Sequence, residues 1–218
     1  MTKDVGHRTK DVGESPTTHH RRPASSGVAV MALQGDFDAH RRKLAEIGVD
    51  SFEARRPEQL QGADGLILPG GESTTMWKFF ETSGWEDAIR RFAAAGNPIL
   101  GTCAGAILLA SDVTSPSQKG LGLLDIGVER NAYGRQLDSF IGQAEAPRLG
   151  GDLPAVFIRA PRIRRVGPRV ETLATLDGEP VLVRSGNVVA ATFHPELTGD
   201  RRVHEMTFGA RQLERQAG

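Results

Sequence analysis

Between residues 27 and 110, short unbroken apolar runs alternate with amphipathic stretches, and few folds accommodate that alternation. GVAVMAL (27–33), GLIL (65–68) and PILGTC (98–103) have no polar face, as befits strands covered on both sides. After the first run, FDAHRRKLAEIG places Phe37, His40, Leu44 and Ile47 on one helical face and stops at Gly48. A short strand is expected near 50–54. Ser73 or Thr74 can cap a helix running to about Thr82, another helix fits 85–95, and AGAILLA (104–110) reads as a buried helix. Strand alternating with helix predicts a parallel sheet with helices on both faces.

The second half reads differently. Apolar runs at 121–129, 137–142, 155–159, 170–176, 180–184 and 187–193 are separated by Gly, Pro and Asp, which predicts a β-rich extension of the sheet. A last helix fits 200–215. The expected fold is an α/β three-layer sandwich around a mostly parallel central sheet with a β-rich C-terminal half. Residues 27–218 read as one domain. Residues 1–26 carry almost nothing to bury and read as a disordered extension. His19 and His20, adjacent in that polar segment, read as solvated rather than as metal ligands.

Charge and cysteine content narrow the function. Lys and Arg (27) balance Asp and Glu (27), so no net field draws the chain to nucleic acid or membrane. No apolar run approaches the roughly 20 residues of a membrane span, and the N-terminus lacks the apolar core of a signal peptide. The single cysteine, Cys103, allows no intramolecular disulfide. A cytoplasmic location is the expectation.

Cys103 stands in GTCAG (101–105), with a strand before it and a helix after it. In an open parallel sheet, chemistry collects beyond the carboxyl ends of the strands. G-x-C-x-G is the cysteine counterpart of the nucleophile elbow G-x-S-x-G. Gly101 and Gly105 remove side chains where strand and helix approach closely. A helix N-terminus favours the thiolate form of a cysteine held there, and the N–H of Ala104 points where an oxyanion would form. A small buried hydrophobe between close-packed glycines is the competing reading. A candidate base lies in FHPEL (193–197): Pro195 keeps His194 extended, so His194 and Glu196 are expected on one side, directly after the strand NVVAATF. A carboxylate beside an imidazole completes a nucleophile–base–orienter set.

GTCAG together with FHPEL resembles the class I, triad-type glutamine amidotransferases. The finer resemblance is to the glutaminase subunits of pyridoxal 5′-phosphate synthase, carried by ALQGDFDAH (32–40), RPEQL (56–60), GLILPGGESTTM (65–76), LGLLDIGVERNAYGRQLDSF (121–140), FIRAP (157–161) and FHPELTGDRRVH (193–204). It implies Cys103 as nucleophile, His194 as base and Glu196 as orienter. It also implies a glutamine site of Gly71, Glu72, Ser73, Arg130, Ile158 and Arg159, with Gly71 and Ala104 forming the oxyanion hole. An Arg or backbone N–H suits the α-carboxylate of glutamine, and a carboxylate suits its α-ammonium. Read without the resemblance, Arg130 is a structural ion pair.

The implied reaction is hydrolysis of L-glutamine to glutamate and ammonia, with no metal or cofactor. Ammonia would pass to a separate lyase subunit in a hetero-oligomer that builds pyridoxal 5′-phosphate. Gly70 and Gly71 would let the backbone turn either a carbonyl or an N–H toward the site, and a docked synthase would bias that choice. Gln34-Gly35 and the first helix, with His40, Arg41 and Arg42, are the expected docking face. A glutaminase of another pathway, such as imidazole glycerol phosphate synthesis, and a catalytically silent binding module are the alternatives. Ala106 stands where the family has a larger apolar residue, and residues 1–26 lie outside the family pattern. RAPRIRR (159–165) is basic but has no interleaved aromatics, so it reads as a solvated or partner-facing edge rather than a nucleic-acid patch.

Overall fold

The computed structural model describes residues 27–130 and 139–216. The expected extension (1–26), the last six residues of ERNAYGRQ (131–136) and the start of the run at 137–142 lie outside the described residues. Strands β1 (Val28–Met31), β2 (Ser51–Ala54), β3 (Gly65–Leu68) and β4 (Ile99–Thr102) alternate with helices α1 (Phe37–Glu46), α2 (Ser73–Ser83) and α3 (Trp85–Ala94). After α4 (Ala104–Leu109) come strands β5 (Ala110–Thr114), β6 (Leu124–Glu129), β7 (Ser139–Ala144), β8 (Leu153–Ile158), β9 (Arg162–Val166), β10 (Glu171–Leu176), β11 (Glu179–Ser185) and β12 (Val188–Ala191), and then α5 (Arg202–Gln216).

Seven strands form the central sheet in the order β10-β11-β12-β4-β3-β1-β2. The five from β12 to β2 are parallel, and β11 and β10 continue antiparallel. Because side chains alternate across a strand, β1 sends Ala29 and Met31 into one core and Val28 and Val30 into the other. The first core is closed by α2, α3, α4 and residues of β5, β6 and β9, and the second by α1, α5, β7 and β8. These are the three layers expected. Among the described residues no helix is long and apolar enough to cross a membrane.

Three local expectations differ from the structure. First, only β10–β12 extend the main sheet. β5, β6 and β9 form a separate three-stranded sheet and β7 with β8 a two-stranded one, because these segments cover the faces of the main sheet rather than its edge. β5 follows α4 without a loop, so no turn residue marks it. Secondly, α2 is capped by Glu72, whose carboxylate accepts from the N–H groups of Thr74 (3.2 Å) and Thr75 (2.8 Å), and not by Ser73 or Thr74. Thirdly, His40 is fully buried and so cannot belong to a docking face, while Arg41 on the next position pairs with Glu53 at 3.3 Å. The basic RAPRIRR segment is largely β9, with Arg164 paired to Glu129 and Glu179, and Arg165 to Asp125.

Candidate active site

The parallel register brings three strand ends side by side. Ala191 of β12 pairs with Thr102 of β4, and Leu68 of β3 pairs with Gly101. The residues that follow are therefore neighbours at the carboxyl edge: His194 after β12, Cys103 after β4, and Gly70-Gly71 after β3.

Cys103 has φ 49° and ψ −103°, a backbone conformation that a side-chain-bearing residue adopts only under constraint. The constraint is visible. Its N–H donates to Ala191 O at 2.8 Å, and its carbonyl accepts from Ala106 and Ile107 in the first turn of α4. The glycines on either side have no room for a side chain. A Cβ on Gly101 would lie 2.5 Å from Leu109 Cδ1, and one on Gly105 would sit on the Leu68 carbonyl oxygen. The G-x-C-x-G spacing is therefore a strained elbow, packed against β3 from behind. Ala106 is completely buried in the same turn.

His194 and Glu196 do meet, but in a different way from the extended segment expected. Pro195–Leu197 is a single 3-10 turn, and it swings the Glu196 carboxylate back so that Oε1 lies 2.7 Å from His194 Nδ1. Glu196 is almost fully enclosed. His194 also turns its Cε1 edge to Gly70, where a Cβ would come within 2.5 Å of that atom. Burial opposes protonation of His194, but its hydrogen bonds to Cys103 and Glu196 and their charges outweigh that, and its pKa is raised to about 10. Burial pushes the Glu196 carboxyl up, and its neighbours His40 and His194 more than reverse this, leaving it below the ordinary value.

A cleft of about 120 Å³ opens in front of Cys103, small beside the roughly 300–1,000 Å³ of pockets that enclose larger ligands. It is lined by Gly71, Glu72, Ser73, Cys103, Ala104, Arg130, Ile158 and Arg159, every one anticipated from sequence, and by Ile107, which was not. Arg130 donates to Thr74 Oγ1 at 2.7 Å and lies 3.3 Å from Glu72, so it does serve as a structural ion pair while facing the cleft. Burial opposes ionisation of Glu72, but the hydrogen bonds from Thr75 and Thr74 together outweigh it, and the pKa falls to about 2. Gln34, at the end of β1, accepts from the Glu72 N–H at 3.1 Å, and Ser73 donates to Gln118 at 3.1 Å. Arg159 also has a positive φ, 43°, beside Ile158, whose carbonyl faces the Cys103 sulfur at 3.8 Å. Two roomier clefts, beside α1 and beside α3, contain neither Cys103 nor either histidine of the network described below.

Sequence reasoning missed a buried layer behind this site. His40 of α1 lies 3.2 Å from Thr102 Oγ1, 3.4 Å from Glu196 Oε2 and 3.0 Å from His204 of α5. The signal was present, since His40 falls on the apolar face of its helix. Burial lowers the pKa of both His40 and His204. Both are therefore neutral in the folded chain where the unfolded chain would protonate them. Their contribution to stability is intact above the ordinary histidine pKa of about 6.5 and is lost as pH falls below it, by up to about 1.4 kcal/mol per pH unit for each. Urea unfolding between about pH 7 and pH 5.5 is expected to show a shallower decline for His204→Asn than for the wild type. Equal slopes would contradict the neutral assignment.

Relatives in sequence and structure agree on the kind of protein this chain resembles. The chain is 57% identical over 179 residues to the protein of Koribacter versatilis named pyridoxal 5′-phosphate synthase subunit PdxT, covering 82% of this chain and 92% of that one. It is 51% identical over 187 residues to the protein of the same name from Deinococcus radiodurans, covering 84% and 95%. A crystal structure titled glutamine amidotransferase superposes with a TM-score of 0.79 at 48% identity, over 84% of this chain and 97% of that one. Residues 30–212 match the SNO glutamine amidotransferase family, and the chain belongs to that family.

Proposed function

We propose that this chain is a glutaminase that hydrolyses L-glutamine to L-glutamate and ammonia through Cys103, His194 and Glu196, and that it hands the ammonia to a separate pyridoxal 5′-phosphate synthase subunit. The observation that carries this reading is the juxtaposition at the sheet edge. A cysteine held at positive φ between strand and helix interacts with an imidazole whose Nδ1 is 2.7 Å from a buried carboxylate. The names of its relatives support the synthase as partner.

The Cys103 thiolate attacks the side-chain carboxamide carbon, and the oxyanion is received by the N–H groups of Ala104 and Gly71. His194 is protonated at neutral pH and gives its proton to the departing ammonia. The resulting γ-glutamyl thioester is attacked by water, whose proton returns to His194, and glutamate leaves with the thiolate restored. Glu196 holds the imidazole in orientation and stabilises its charge. Glu72 stays anionic across the working pH range and suits the α-ammonium of glutamine. Arg130 suits the α-carboxylate, with Ser73, Ile158 and Arg159 closing the site.

Free release of ammonia would waste glutamine. Activity is therefore expected to rise when the synthase subunit docks and the Gly70-Gly71 backbone presents an N–H to the oxyanion. Ammonia and glutamate release, measured for the chain alone and after adding the synthase subunit, tests this. Absence of glutamine hydrolysis under both conditions would overturn the glutaminase reading, and equal rates under both would overturn the gating.

A further inference from the structure

The Glu196 carboxylate has two oxygens, and His194 engages only one. Oε2 is buried without a well-formed hydrogen bond, and His40 Nε2 lies 3.4 Å from it. A buried anion with an unsatisfied oxygen is costly. It is also free to rotate away from the imidazole that it should orient.

His40 is placed to prevent that, and its tautomer can be assigned by elimination. Its Nδ1 lies 3.0 Å from His204 Nε2, so one of these two nitrogens carries the shared proton. If His40 Nδ1 carried it, the bare Nε2 lone pair would face the Glu196 carboxylate. The Nδ1–H of His204, which has no partner, would then be a buried orphan donor. With the proton on His204 Nε2, the Nε2–H of His40 points toward Glu196 Oε2 and Thr102 Oγ1, and only a lone pair on His204 goes unused. His40 thus touches both Thr102, the residue before the cysteine, and the carboxylate behind the base.

We propose that His40 is a positioning residue for the glutaminase reaction: with its tautomer fixed by His204, it holds the Glu196 carboxylate against His194 from the far side. The proposal rests on the Cys103–His194–Glu196 reading above. Loss of the His40 donor leaves Glu196 a poorer anion and a looser partner, and the thiolate–imidazolium pair weakens. The charged and titratable groups facing His40 are Glu196 and His194 from the turn after β12, Asp36 at the start of α1, and His204 of α5, itself facing Lys43.

The test is the pH dependence of Cys103 alkylation by iodoacetamide in the full chain, for the wild type, His40→Leu, His40→Gln and His194→Asn. His40→Leu is expected to move the midpoint of reactivity upward by about one pH unit. His40→Gln, whose amide can still donate to Glu196 and accept from His204, is expected to recover most of that shift. Should His40→Leu fail to fold, His204→Leu carries the same test, since it leaves His40 in place with its tautomer released. It is then expected to give a smaller upward shift. An unchanged midpoint in a folded His40→Leu or His204→Leu protein would overturn the proposal, as would a His40→Gln midpoint displaced as far as that of His40→Leu. A wild-type midpoint that ignores His194→Asn would instead overturn the Cys103–His194 pairing on which the proposal rests.

Discussion

Cys103→Ala is expected to abolish glutamine hydrolysis, lowering ammonia release by at least about 10⁴-fold while the fold survives. The chain has no other cysteine, so no second thiol can take over the attack. Alanine keeps the Cβ and therefore the backbone constraints of the elbow. The side chain removed is small, and the hydrogen bonds that fix this turn are made by the main chain: Cys103 N–H to Ala191 and the Cys103 carbonyl to Ala106 and Ile107. Melting temperature is expected to shift by only a few degrees. A mutant that releases ammonia at the wild-type rate would remove Cys103 from the reaction.

The second large effect concerns the fold. Gly105→Ala is expected to destabilise the chain by about 3 kcal/mol or more, because the new methyl group would occupy the position of the Leu68 carbonyl oxygen. Overpacking is often relieved when the obstructing group is the tip of a flexible side chain. Here it is main chain of β3, a fully buried strand hydrogen-bonded on both sides. Any relief must push α4 off the sheet, and Cys103 with it. Gly199→Ala is the control: Gly199 has an ordinary φ, and its Cβ would meet nothing within 4 Å. That variant is expected to stay within about 0.5 kcal/mol of wild type, so similar losses for the two would show that contact with β3 is not what Gly105 avoids.

The same contrast between local and distant constraints explains what was legible in the sequence. β1, β3 and β4 are unbroken apolar runs because both of their faces are covered, and that pattern is local. The elbow is legible for a related reason, since the closeness of α4 to β3 forces glycine at 105 and leaves a recognisable spacing around Cys103. Gly71, Glu72, Ser73, Arg130, Ile158 and Arg159 became legible as cleft residues only through family resemblance, because Arg130 by itself is indistinguishable from an ordinary ion pair. Its contacts with Thr74 and Glu72 show that it is one as well. Glu72 as the α2 cap was missed because Ser and Thr are the more usual caps and three of them follow it. His40 carried a local signal, its place on the apolar face of α1. What it touches was not readable, because Thr102, Glu196 and His204 arrive from three other elements. The small sheets escaped for the same reason: a short alternating strand such as β7 does not state which partner it will find.

The proposed reaction opens glutamine with a sulfur atom activated at the junction of β4 and α4. It is tested most directly by treating the protein with a glutamine analogue whose side-chain carboxamide is replaced by a chloromethyl ketone, then mapping the adduct by peptide mass spectrometry. A single adduct on Cys103 is expected, suppressed by excess L-glutamine and formed much more slowly in His194→Asn. An adduct on any other residue, or an enzyme that stays fully active after Cys103 is modified, would contradict it.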